Sequence, residues 1–264
     1  MTDFQNKVVW ITGASSGIGE ALAYVMSAAG ATLVLSARRA DALARVKNNC
    51  NNPAAVLVLS MDLADADTMP EKVATVLQTF GKIDVLVNNG GVSQRSFAKD
   101  TQPEVYRNIM EINFFGTIHL SNLVLAHFLE RNEGIFVVLS SVTGKVGLPW
   151  RTAYTASKHA VEGFFASLRA EIWQSNIRIL MVRPASVNTN IARNALTGDG
   201  SAFAAADRNI DNGISPEACA AAIMQAIRSG KTDVHPGPAK ERLIFFLNRF
   251  FPKVVFNIVK KLKP

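Results

Sequence analysis

Tyr154 and Lys158 stand four residues apart in the run YTASK. On a helix that spacing puts both side chains on one face, a turn apart. An ammonium beside a phenol stabilises the phenolate, so the pair predicts a tyrosine drawn down from about 10 towards the working range of a general acid/base. The pair alone is common on surface helices. Ser140-Ser141 adds to it, thirteen residues before the tyrosine and at the end of an apolar run that reads as a strand. The carboxyl ends of parallel strands are where an α/β sheet holds its ligands, and a serine hydroxyl there can hydrogen-bond the oxygen that the tyrosine protonates.

A second constellation lies near the amino terminus. Gly13-Ala14-Ser15-Ser16-Gly17-Ile18-Gly19 directly follows a β-branched run and opens a helical stretch. In that context glycines let the main chain approach a pyrophosphate, while the free N–H groups of the following helix attract its charge. The spacing GxxxGxG differs from the common dinucleotide fingerprint GxGxxG. The next strand ends Ala37-Arg38-Arg39. An acidic residue in that slot would bind the ribose hydroxyls of NAD; two guanidinium groups favour the 2'-phosphate, so NADP(H) is the expected cofactor.

The elements that must position these residues alternate. Strands are predicted at Val8 to Thr12, Thr32 to Ser36, Ala55 to Ser60, Val85 to Val87, Ile135 to Leu139, Arg178 to Val182 and Thr232 to His235. Helices are predicted at Gly17 to Ala29, Ala40 to Asn49, Ala66 to Phe80, Pro103 to Leu129, Ala153 to Ser175 and Pro216 to Arg228. Such alternation predicts a single-domain α/β fold, a Rossmann-type doubly wound parallel sheet of seven strands with helices on both faces. Residues 1–239 form the expected NADP-binding catalytic domain, followed by a tail at 240–264. The stretch Asn188 to Ile214 has weak periodicity and several glycines, and is expected to be a long mobile segment.

Composition narrows the classes. At 264 residues and 48% apolar content the chain can bury one ordinary core. Cys50 and Cys219 lie far apart and are expected to be reduced and buried, and neither they nor the four histidines show metal-ligand spacing, so no metal is expected. His159 adjoins Lys158 but points about 100° away around a helix. Of the net charge of +7, +6 falls within 240–264, which is not the spread basic face of a nucleic-acid binder. No signal-peptide core and no run of about 18 uncharged apolar residues is visible. The expected location is cytoplasmic, or peripheral on the inner face of a membrane. Within the tail, Leu243, Phe246, Leu247 and Phe250, then Val254, Val255, Ile258, Val259 and Leu262, recur at helical spacing among lysines and arginines. That pattern reads as an amphipathic helix on a membrane surface, or as a helix docked on protein with its basic face solvated.

Taken together, TGASSGIG, NNGG at Asn88 to Gly91, Asn113 in INFFG, SSVTG and YTASK resemble the short-chain dehydrogenase/reductase family in order and spacing, over roughly Asn6 to His235. The resemblance implies a tetrad of Asn113, Ser141, Tyr154 and Lys158: Tyr154 transfers the proton, Ser141 orients the carbonyl, Lys158 binds the nicotinamide ribose and tunes Tyr154, and Asn113 holds a water in a proton relay. It implies that Asp62 and Leu63 meet the adenine, Asn89 and Gly90 the adenosine ribose, and Pro184, Val187 and Thr189 the nicotinamide end. Bottom-up, Asp62 after a strand is equally a local cap. Gly91 stands where the family has alanine, an exchange expected to be harmless, and Ala185 where it has glycine after proline.

In the family the segment after Thr189 closes over substrate. Here it offers Ile191, Ala195, Leu196 and Phe203, and Val146, Leu148, Pro149 and Trp150 precede Tyr154, so a hydrophobic ketone, aldehyde or alcohol is expected. The run SSVTGKVGLPWRTAYTASKHAVEGFF is similar to members acting on lipid-like or steroid-like compounds, including the 11-beta-hydroxysteroid-dehydrogenase-like branch. A homodimer or homotetramer is implied as well. Two other classes compete with an enzyme: an NADPH-binding regulator without turnover, and a membrane-associated scaffold. The occupied tetrad disfavours the first, and the phosphate turn disfavours the second.

Overall fold

The computed structural model describes residues 3–204 and 213–262. Seven strands, β1 (Val8–Thr12), β2 (Thr32–Ser36), β3 (Val56–Val58), β4 (Val85–Asn88), β5 (Gly134–Leu139), β6 (Ile177–Val182) and β7 (Asp233–Val234), form one parallel sheet in the order β3-β2-β1-β4-β5-β6-β7. This is the doubly wound arrangement that the alternation predicts. The order reverses at β1, which pairs with β2 on one side and with β4 on the other, and the crevice beyond the carboxyl ends of those strands is where such sheets bind ligands.

The strands are apolar throughout because both faces are covered. Successive side chains alternate faces: Val9, Ile11, Leu33 and Leu35 join Leu22 and Met26 of α1 (Gly17–Ala28) in one core layer. Trp10, Val34, Leu86 and Phe136 join the other, against α3 (Met69–Phe80), α5 (Gly116–Arg131) and α6 (Thr152–Glu171). The remaining helices are α2 (Ala40–Asn48), α4 (Pro103–Met110), α7 (Pro216–Arg228), α8 (Ala239–Phe250) and α9 (Pro252–Val259). Ser215 caps α7, its Oγ accepting from the Ala218 N–H at 3.1 Å, with Pro216 at the first helical position.

Four sequence expectations are corrected. The helix expected from Ala66 starts at Met69, after a 3-10 turn, because Pro70 fits only a first helical turn. The helix expected over Pro103 to Leu129 is divided by a π turn at Glu111–Phe115, closed by the Gly116 N–H on the Glu111 carbonyl. There α5 presses against the chain: a Cβ at Gly116 would stand 2.0 Å from the Leu63 carbonyl oxygen. Thirdly, an 18-residue stretch within 103–131 is apolar enough to pass as a membrane span, with a mean hydropathy of 1.3, although none was expected. Leu120, Val124 and Phe128 place that apolarity in the core, Phe128 lying 4.9 Å from Phe136.

The fourth concerns Asn188 to Ile214. Residues 205–212 lie outside the described residues, but the part before them carries main-chain pairings that its weak periodicity did not announce. Leu196 pairs with Gln94 and Ala202, the Leu196 N–H donates to Ser93, and the Arg95 N–H donates to Leu196. Val187 pairs with Ile214. Both cysteines are buried free thiols.

Candidate active site

A cleft of about 630 Å³ opens at the carboxyl ends of β1 and β4. Its walls bring together Gly13, Ser15, Ser16, Gly17, Ile18, Arg38, Arg39, Asp62, Leu63, Asn89, Gly90 and Thr189, which the sequence had scattered over the first three quarters of the chain. The shape depends on glycine. Gly13 has φ +64°, and a Cβ on it would stand 2.7 Å from the Gly90 Cα; on Gly19 it would stand 2.4 Å from the Gly13 carbonyl oxygen. The Asn89 amide crosses the turn, donating to the Thr12 and Gly13 carbonyls at 2.9 and 3.1 Å.

Ser16, the residue before α1, is extended and its hydroxyl caps no backbone N–H, so the first-turn donors face the cleft. A dinucleotide fits this donor set: a pyrophosphate at the α1 terminus and an adenosine towards Asp62 and Leu63. Asp62 also makes the local turn considered from sequence, Oδ1 accepting from the Ala64 N–H at 3.0 Å. At the far end, Arg45 is paired with Glu20 at 2.6 Å. Among the described residues neither Arg38 nor Arg39 takes part in an ion pair.

Asn113, Ser141, Tyr154 and Lys158 do not line the cleft itself. Tyr154 and Lys158, each 6% exposed on α6, lie behind its wall at Gly91, where an added Cβ would stand 3.8 Å from Lys158 Nζ. Buried Gln94 places the helix start: its Oε1 accepts from the Ala153 N–H at 2.7 Å, and its amide donates to Ser96 and Thr101. Ser141 Oγ accepts from the Thr143 N–H at 3.1 Å and lies on the side of Tyr154, where it lowers the phenol. Ser140 turns the other way, towards Gly144 and Glu162.

The electrostatics differ from the sequence expectation that Lys158 lowers Tyr154. Burial raises the Tyr154 phenol above its ordinary value, while the Arg151 charge and the Ser141 hydrogen bond pull it back. The Lys158 Nζ donates to the Leu139 carbonyl at 2.7 Å and sits 5.7 Å from the tyrosine ring centroid. Burial also pushes the Lys158 ammonium down to about 8, against the pull of Glu162.

Arg151 and Glu162 escaped the sequence reading, although both carry a helical signal, three residues before Tyr154 and four after Lys158. Glu162 is 5% exposed and accepts from Arg183 Nε and a terminal nitrogen at 2.7 Å each; Arg183 also pairs with Asp233. Lys145 approaches Glu162 at 3.2 Å. This lattice ties α6 to the ends of β6 and β7, an example of a buried carboxylate kept ionised by paired cations. Arg183 and Lys145 hold its carboxyl below the usual range even though burial opposes them.

Asn113 lies inside the π turn, 1% exposed. Its side chain accepts from the Val92 N–H at 2.8 Å and donates to the Val92 carbonyl and to Ser157 Oγ, joining the segment after β4 to α6. A Cβ at Gly91 would stand 2.9 Å from Asn113 Oδ1, so an alanine there requires this amide to shift by a few tenths of an ångström. Pro184 accepts from the Val142 N–H, and Val187 is buried where it pairs with Ile214, so neither joins the cleft wall that Thr189 lines.

The expected substrate wall is rearranged. Ile191 and Leu196 line the cleft with Val92, Ile112 and Ala202. Val146 and Leu148 instead pack beneath the tail, against Val255 and Val259. Trp150 meets Phe97 edge-on, and Arg95 lies within electrostatic reach of Arg151 beside Tyr154.

Comparison with known proteins agrees with this geometry. Residues 7–199 match the model of the short chain dehydrogenase family. A protein from Anopheles gambiae named Dehydrogenase/reductase SDR family protein 7-like is 42% identical over 97% of this chain and 82% of its own length. A crystal structure of a short-chain dehydrogenase/reductase from Burkholderia phymatum, in complex with NAD, superposes with a TM-score of 0.84 at 24% identity, covering 100% of this chain and 99% of that one. An alcohol dehydrogenase from the archaeon Thermococcus sibiricus, complexed with 5-hydroxy-NADP, has a TM-score of 0.76 at 23% identity over 89% and 97% of the two chains.

Proposed function

The chain belongs to the short-chain dehydrogenase family, and from that premise we propose that it transfers a hydride between NADP(H) and a hydrophobic ketone, aldehyde or alcohol. One observation carries the proposal: Lys158 Nζ and Asn113 Oδ1 lie against Gly91, within 3.8 Å of a Cβ built there, so the buried Tyr154–Lys158 pair sits beside the cleft that the glycine turn lines.

When bound, the nicotinamide supplies or accepts the hydride. Tyr154 then gives its proton to the carbonyl oxygen in reduction, and the raised phenol keeps that proton available across neutral pH. Ser141 donates to the same oxygen, which holds the carbonyl within reach of Tyr154. Lys158 binds the nicotinamide ribose and returns a proton towards Tyr154 through a water held at Asn113. Gly13, Ser15, Ser16, Gly17 and Ile18 hold the pyrophosphate, with Gly19 packed against Gly13; Asp62 and Leu63 hold the adenine, Asn89 and Gly90 the ribose, and Thr189 the nicotinamide end. Arg38 and Arg39 take the 2'-phosphate, a role supported by the absence of a carboxylate in that slot and by the engagement of Arg45 elsewhere.

The apolar substrate assignment is supported by Ile191, Leu196, Val92 and Ile112. Phe114, Phe115 and Phe164 form an aromatic strip across the π turn and α6, with Phe115 48% exposed, which supports pairing of subunits into a homodimer or homotetramer. The test is NADPH oxidation by the purified chain with a panel of hydrophobic aldehydes and ketones, NADH serving as control. Turnover that prefers NADPH is expected. Equal rates with NADH would overturn the role of Arg38 and Arg39, and tight NADPH binding with no turnover on any compound in either direction would favour a regulator.

A further inference from the structure

Between them, residues 240–264 hold seven of the 28 Lys and Arg of the chain and one of its 21 Asp and Glu. The same segment is where apolar side chains meet solvent. Eight of the twelve large hydrophobic residues exposed among the described residues lie between Leu243 and Leu262, and Phe250 and Phe256 are 61% and 62% exposed.

From sequence the tail offered two alternatives, a helix on a membrane or a helix docked on protein. The structure separates its apolar residues into two sets. Val255 and Val259 pack on Val146, with Ile244, Leu247 and Leu148 around them. Asn248 Nδ2 donates to the Lys145 carbonyl at 2.7 Å, and Phe245 stacks on His235 at 4.5 Å. That set docks α8 and α9 on the body. Phe246, Phe250, Phe251 and Phe256 form the second set, facing away, with Phe246 and Phe250 4.9 Å apart. Packing within the chain therefore leaves this aromatic face unexplained.

We propose that α8 and α9 are a docking surface for an anionic lipid bilayer, the phenylalanines entering the interface while Arg249, Lys253, Lys260 and Lys261 meet the headgroups. Exposed aromatic and basic side chains on short helices are the combination that binds such interfaces, apolar burial and Coulomb attraction adding. Charge selects this occupant over a second copy of the chain. A two-fold contact would set the four cations against their own images, with no carboxylate among residues 243–262 to separate them. Because the docked face covers Val146 and Leu148, the bilayer would lie on the side of the segment that links Ser141 to Tyr154. The proposal does not depend on the catalytic reading.

The experiment is co-sedimentation of the full chain with vesicles of phosphatidylcholine alone and of phosphatidylcholine mixed with phosphatidylserine. Binding to the mixed vesicles should be at least about tenfold stronger, since each basic residue near an anionic surface contributes, and should weaken as salt is added. Phe246→Ser with Phe250→Ser and Phe256→Ser should remove sedimentation. Lys253→Glu with Lys260→Glu and Lys261→Glu should remove the phosphatidylserine dependence while leaving the thermal transition unchanged, because all three side chains are exposed. Absence of wild-type binding, or unchanged binding by the charge-reversed chain, overturns the proposal. So does a dimer in sedimentation that the phenylalanine variant dissolves without any vesicle binding.

Discussion

The glycine turn after β1 lines the cleft and the α6 face that carries Tyr154 lies behind it at Gly91, yet different forces hold them. The turn is backbone geometry: Gly13 sits at positive φ against Gly90, and the Asn89 amide bridges two carbonyls across it. No buried charge is needed there, and the cations at its rim, Arg38 and Arg39, are exposed. The α6 face is built from buried ionisable side chains, Tyr154, Lys158, Glu162 and Arg183, whose charges depend on one another. The contrast teaches that binding and proton transfer should fail separately when each wall is damaged: shape changes should weaken the turn, and charge changes should weaken α6.

The largest effect is expected at the ionic lattice. Glu162→Ala leaves Arg183 short of its buried partner, and should cost about 3 to 5 kcal/mol of stability in denaturant unfolding. A loss below about 1 kcal/mol, the scale of an exposed pair, would show that the α6 face is no more constrained than the turn. Gly13→Ala comes next. Positive φ alone costs about 1 to 2 kcal/mol and the added Cβ collides with Gly90, so NADPH affinity should fall by about tenfold or more in a fluorescence titration.

Arg38→Ala with Arg39→Ala should weaken NADPH by a similar or smaller factor, about tenfold, and leave the NADH affinity unchanged. Equal losses for both cofactors would remove the distinction assigned to this rim. The smallest change is in pH dependence. Lys158 titrates near about 8 and is charged below that value, so kcat/KM for carbonyl reduction should decline as pH rises through this range. Glu162 holds the ammonium up, so Glu162→Gln should move the decline to lower pH. A pH profile that does not move would detach Glu162 from the proton chemistry.

Much of this arrangement was legible because it is local. Gly13 to Gly19 follow a strand directly, and Tyr154 and Lys158 share one helix face, so strand alternation and helical spacing expose them. The seven strands were visible for the same reason, since a sheet covered on both faces leaves continuous apolar runs. Asn113 has no such local signature and entered only through resemblance. Its π turn is a hydrogen-bond register that accompanies the close passage of Gly116 against Leu63, which no single segment encodes. Gln94 and Ala153 lie 59 positions apart, and Glu162 and Arg183 lie 21 apart, so the partners that position α6 appear only after folding. The direction of the Tyr154 shift was misread because the sequence shows the ammonium but not the burial of the phenol.

The separation of binding from proton transfer is tested most directly with Tyr154→Phe, by measuring NADPH affinity and the rate of carbonyl reduction on the same preparation. Loss of the acid is expected to lower kcat by on the order of a thousandfold while NADPH affinity stays within about twofold. Turnover retained within about tenfold of the wild-type rate would contradict the assignment of the proton to Tyr154.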